Sequence, residues 1–87
     1  MKQPPAMLYS ALARTLGRAL KAARLDAGMS QAAVAEHLAT HRPIVARNER
    51  GIHLQRADLF FAHARVVGLT FQDACAIIDI VVAEHGR

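Results

Sequence analysis

The stretch from Gly28 to Gly51 constrains the fold of this 87-residue chain more than any other. Gly28 marks a turn, and Ser30 is an N-cap residue whose hydroxyl satisfies orphan amides of a helix predicted over Gln31 to Leu38. Thr40-His41-Arg42-Pro43 then breaks the pattern. Proline is tolerated in the first turn of a helix, where its missing N–H has no partner to lose, so a second helix is predicted from Arg42 to Arg50. Gly51 supplies its stop. Two short helices, joined by a tight turn, therefore occupy the middle of the chain.

The flanks are also helical. Met1 to Met7, with Pro4-Pro5, reads as a frayed arm. From about Ala6 to Ala27, residues Leu8, Leu12, Leu16, Ala19, Leu20, Ala23 and Ala27 share one face, with Arg14, Arg18 and Lys21 opposite. That basic stripe is either a phosphate contact or a solvated face. The second helix would bury Ala32, Val34, Ala35 and Leu38, leaving Glu36 and His37 outside. After a loop at Ile52 to Gln55, a fourth helix is predicted from Arg56 to Val67, stopped by Gly68, with Phe60, Phe61, Ala64 and Val67 inward. A fifth runs from Thr70, spaced with Asp73 as a capping box, to about Glu84.

Length and composition set the limits. Eighty-seven residues form one domain, 1–87, with a core over 8–69 and the C-terminal helix, 70–84, as a dimerisation element. Cys75 is the only cysteine, so no internal disulfide forms, and with no leader-like start the expected location is cytoplasmic. No run approaches the roughly 18 apolar residues of a membrane span. The net charge of +4 is unevenly spread: residues 1–65 hold ten of the eleven Lys and Arg against four acids, giving +6, and residues 66–87 carry −2. Basic excess around the paired helices fits a phosphate-bearing partner, although a merely basic soluble surface has the same composition.

Leu16-Gly17, Arg24, Gly28, Ser30-Gln31, Val34-Ala35, Val45, Arg47 and Glu49-Arg50-Gly51 together resemble the helix-turn-helix of the Xre/Cro/C1 family of bacterial and phage regulators. The resemblance covers about residues 16 to 70. It implies an all-α, five-helix, lambda-repressor-like DNA-binding domain with the helix-turn-helix at helices two and three. The third helix then lies in the major groove, with Arg42, Pro43, Ile44 and Arg47 at the DNA and Val45 turned inward. Arginine suits a bidentate bond to guanine O6 and N7, so Arg42 and Arg47 predict guanine in the half-site unless they grip only phosphate. Pro43 or Ile44 would rest on a thymine methyl. Gln31 is implied to hold the DNA backbone and brace the third helix. His41 is expected to cap that helix where the family has serine, and Arg50, His53 and Arg56 to touch backbone phosphates. Arg24 and Glu49 match positions that pair across helices one and three, a structural ion pair.

Some residues argue against other classes. His37 and His41 are spaced i, i+4, but two ligands across a helix break do not make a metal site, so neither metal nor cofactor is expected. His63 falls on a core position, to be read as a buried histidine rather than a pH switch. No activated nucleophile, phosphate loop or carboxylate pair is present, so no enzymatic activity is expected. Two residues depart from the family pattern: Asn48 stands where an apolar residue is usual, and Ala23 where a larger one is. Either the core is shallower, or Phe60, Phe61 and Phe71 compensate.

The sequence thus predicts a regulator that binds double-stranded DNA, a repressor occupying a palindromic operator as a homodimer. Phe71, Cys75, Ile78, Val81 and Val82 on the last helix are the predicted dimer face. The alternatives are an antitoxin-type protein that neutralises a partner toxin and autoregulates its operon, and a helical scaffold without DNA affinity.

Overall fold

The computed structural model describes residues 5–52 and 55–85, and these form five helices with no strand among them. They are α1 (Pro5–Asp26), α2 (Gln31–His37), α3 (Arg42–Arg50), α4 (Ala57–Val67) and α5 (Phe71–His85). All five expected helices form, with ends moved by a residue or so. Part of the expected N-terminal arm is already helical, because α1 starts at Pro5, and Arg56 and Thr70 are caps rather than first helical residues. At the start of α5 the capping box closes in both directions: Thr70 N–H donates to Asp73 Oδ2 at 3.1 Å, and Asp73 N–H to Thr70 Oγ1 at 3.0 Å.

Helix α1 is the hub, packing on α3, α4 and α5, while α2 packs on α3 and α4. Leu16, Leu20, Val34, Ala35, Val45, Phe60, Ala64, Val67 and Ala74 make one buried cluster, with Ala23, Leu38 and Ile77 packed partly buried against it. Burying one such leucine or valine contributes about 1.5–3 kcal/mol.

Several inward positions differ from expectation. Ala32, Ala27 and Phe61 are exposed, while Ala11 and Ala13 are buried. The reason for Phe61 is angular: it lies about 100° around α4 from Phe60 and faces the rim of the core rather than its centre. Its ring instead meets the edge of Phe60, 5.6 Å between centroids, and tilts against Phe71 at 5.8 Å.

The crossing of α1 and α3 leaves no room for a side chain at two glycines. A Cβ at Gly17 would stand 2.7 Å from the Glu49 carbonyl oxygen and 2.8 Å from that of Asn48. Gly51, at the end of α3 with φ +66°, could carry no side chain either, since its Cβ would run into the Ala13 carbonyl. Backbone therefore meets backbone where α3 leaves the core.

Candidate nucleic-acid interface

Helix α3 is positioned from both ends. At its start, Ser30 caps α2 by accepting the Ala33 N–H at 3.0 Å, and α2 ends in a Schellman arrangement: Thr40 N–H to Ala35 O at 2.9 Å, Ala39 N–H to Glu36 O at 3.1 Å. The residue that turns left-handed there is Ala39, with φ +53°, a conformation that favours glycine. His41 then occupies the N-cap position of α3 with extended backbone, but its side chain makes no capping bond, so the expected histidine cap is positional only. Pro43 sits in the first turn. At the far end Gly51 N–H donates to the Arg47 and Asn48 carbonyls.

This leaves α3 with two unlike faces. Val45 and Glu49 are buried, whereas Arg42, Pro43, Ile44, Arg47 and Arg50 are exposed, and no acidic side chain shares the exposed side. At 100° per residue Pro43, Arg47 and Arg50 lie near the middle of that face, with Arg42 and Ile44 on its edges.

A polar chain beneath the face ties it to the core. Arg24 Nε donates to Glu49 Oε2 at 2.5 Å and its Nη2 to Oε1 at 3.1 Å, a two-pronged pair whose side chains are 9% and 3% exposed. Arg24 Nη1 also donates to the Met29 carbonyl at 2.9 Å. Gln31 Nε2 donates to Glu49 Oε1 at 3.0 Å, and Gln31 Oε1 accepts from Arg42 Nη1 at 3.0 Å. One amide thus links the buried pair to an exposed arginine at the start of α3. Burial raises the Glu49 pKa, but the hydrogen bonds from Arg24 and Gln31 and the Arg24 charge outweigh it, so Glu49 titrates below the usual carboxylate range and stays ionised.

Behind α3, His63 of α4 is fully buried. Its Nδ1 is 3.5 Å from the Asn48 amide nitrogen, and its Nε2 has no hydrogen-bond partner among the described residues. Burial lowers its pKa, against the pull of the Glu49 charge, and holds the ring neutral. Arg56 is exposed but paired with Asp58, Nη2 to Oδ2 2.8 Å, a partner the sequence reading overlooked although it lies two residues away. His53 lies outside the described residues. Among the described residues no cluster of three His, Cys, Asp or Glu side chains is arranged to hold a metal.

On α5 the expected partner face divides. Val81 is 2% exposed, packed inside its own chain, and so is withdrawn from any dimer face; Cys75 is half-buried. Phe71, Ile78 and Val82 are exposed along one edge, next to Phe61, and Ile80 is exposed on another side. No single helix among the described residues is long and apolar enough to cross a membrane.

Two short helices set across a tight turn, the second presenting a basic face from a buried ion pair, define a helix-turn-helix DNA-binding module. The family model described as a helix-turn-helix domain matches residues 15–75, well over half the chain, and the protein belongs to that family, consistent with its Xre/Cro-type resemblance. No curated protein and no solved structure matches the chain.

Proposed function

We propose that this protein is a sequence-specific transcriptional regulator, without enzymatic activity, that acts as a homodimeric repressor on a palindromic operator. The observation that carries the reading is the exposed face of α3, with Arg42, Arg47 and Arg50 and no carboxylate, held on a buried polar network. Arg47 and Arg42 read base edges, Pro43 and Ile44 supply apolar contact to a thymine methyl, and Gln31 and Arg50 hold phosphates. Arg42 reaches the groove by leaving or stretching its bond to Gln31. Arg56 is a weaker contributor, because Asp58 neutralises it.

One short recognition helix reads only a few base pairs, so a two-fold dimer supplies the second half-site about 34 Å away. The exposed edge of Phe61, Phe71, Ile78 and Val82 is the surface for that contact, since a monomer leaves it in water. The same edge would seat a toxin in the antitoxin reading. A toxin co-purifying in place of the twin chain decides for that alternative.

Selection of bound DNA from a random pool is the direct test. An enriched palindrome with half-sites about one helical turn apart is expected; recovery of no sequence preference overturns the reading. On the selected site, Arg47→Ala and Arg42→Ala each cost about 1–3 kcal/mol with much less change on scrambled DNA. Affinity falls with salt at a log–log slope of about −0.9 per phosphate contacted.

A further inference from the structure

A cavity of about 200 Å³ opens between α1, α4 and α5, behind α3. It exists because the residues around it are small where a packed core needs bulk: Ala13, Gly17, Ala57 and Ala74 line it, and Asn48 occupies a position where an apolar side chain would project. The phenylalanines do not fill the gap. Phe60 forms a wall, while Phe61 and Phe71 stand at the rim with their rings partly in solvent. An apolar cavity of about 150 Å³ suffices to hold benzene, so the space here accepts one six-membered ring with a small substituent.

The lining also states a polar requirement. Gln55 is part of the lining and its Oε1 is buried with no hydrogen-bond partner among the described residues; an acceptor left so costs about 1–3 kcal/mol relative to a satisfied one. A ligand that fills the cavity and donates one hydrogen bond relieves both defects. We propose that this cavity is a binding site for a small aromatic molecule of phenol size bearing a hydrogen-bond donor, and that its occupancy is transmitted to α3 through Asn48. Asn48 lines the cavity, has its amide nitrogen 3.5 Å from His63 Nδ1 and sits in α3 between Arg47 and Glu49, so a molecule pressing on it acts on the helix that carries the basic face. The transmission rests on the DNA-binding reading; the site itself does not.

Phenol and toluene, similar in size and differing in the donor, are the probes. The full chain is titrated with each while the ring signals of Phe60, Phe61 and Phe71 are followed by NMR. Alkylation of Cys75, the only thiol and itself in the lining, is timed in parallel. Phenol is expected to shift those signals and slow the alkylation. Gln55→Leu is expected to weaken phenol about tenfold without weakening toluene, the loss of one buried hydrogen bond. Ala57→Leu, which narrows the mouth from an exposed position, weakens both and guards against misfolding of the first variant. Failure of phenol to perturb the rings and Cys75 overturns the site; every titration is run at one protein concentration, because the proposed dimer contact on Phe61, Phe71 and Ile78 shields Cys75 by itself. Saturating phenol that leaves affinity for the selected DNA unchanged overturns the transmission while the site stands. Loss of the DNA reading would leave the binding results intact.

Discussion

The Arg24–Glu49 pair gives the sharpest test of how α3 is held. Replacing Arg24 by Met removes both prongs to Glu49 and the donor to the Met29 carbonyl. Glu49, with its side chain 3% exposed, then keeps only the Gln31 amide as a partner. An ion left buried and unpaired in this way costs about 3–5 kcal/mol, a large share of the 5–15 kcal/mol that stabilises a typical domain. Glu49→Leu strands Arg24 in the same manner, with Met29 as its only acceptor. The double variant removes both charges together. It leaves no buried ion, and Gln31 is only half-buried and turns its freed amide to water, so the double is expected to be more stable than either single. Urea melts of all four proteins in a common concentration of sucrose, which keeps the weakest one folded, measure this directly. Single costs that add up to the double cost refute the reasoning, because additivity means that the two groups do not depend on each other. The double variant also cuts the link from the core to Arg42, so its affinity for the selected DNA falls even where its stability recovers.

Four further outcomes follow from the geometry. Gly17→Ala drives a methyl into two carbonyls that cannot give way and destabilises by about 3 kcal/mol or more in the same melts, whereas Gly28→Ala meets nothing within 4 Å and costs only the left-handed backbone, about 1–2 kcal/mol. Ala39→Gly relieves that same backbone penalty between α2 and α3 and raises stability by about 1 kcal/mol, read as a higher thermal midpoint. Because His63 is held below its ordinary pKa of 6.5, the unfolded chain takes the proton first; its contribution is complete above pH 6.5 and is lost as pH falls below it, at no more than about 1.4 kcal/mol per pH unit. Glu49, also lowered, adds a second loss below pH 4.5, so His63→Leu flattens only the upper limb of a stability–pH curve. Ile78→Glu with Val82→Glu yields a monomer by light scattering with weakened operator binding; an unmodified protein already monomeric at micromolar concentration and tight on its operator refutes the dimer.

Much of the scaffold was legible because its signals are local. Ser30, Pro43, Gly51 and Gly68 each act on the residues beside them, and α2, α3 and α4 each begin or end within a residue of one of them. The link between Arg24 and Glu49, twenty-five residues apart, was available only through the family resemblance, since no spacing rule brings such distant positions together. What escaped the sequence was of two kinds. Ala39 turns left-handed although alanine carries no mark of a turn, at the point where its own N–H and that of Thr40 bond back to the last carbonyls of α2. Helical periodicity ranked Phe61 and Val81 only by face, and the difference between rim and centre is decided by how the neighbouring helices cross. The two departures at Ala23 and Asn48 posed a choice between a shallow core and aromatic compensation; with Phe61 and Phe71 held at the rim, the outcome is the shallow core and its cavity.

The glycine crossing of α1 and α3 also separates address from chassis. Gly17 and Gly51 seat the third helix on main-chain atoms, a contact in which the outward side chains of Pro43, Ile44 and Arg47 take no part. Under the proposed function, exchanging Pro43, Ile44 or Arg47 would therefore change which DNA is read while that mount stays in place. Such a module can diverge quickly in target while its frame stays still, and it offers a compact starting point for reprogrammed binders in which three outward positions are randomised and nothing beneath them is touched.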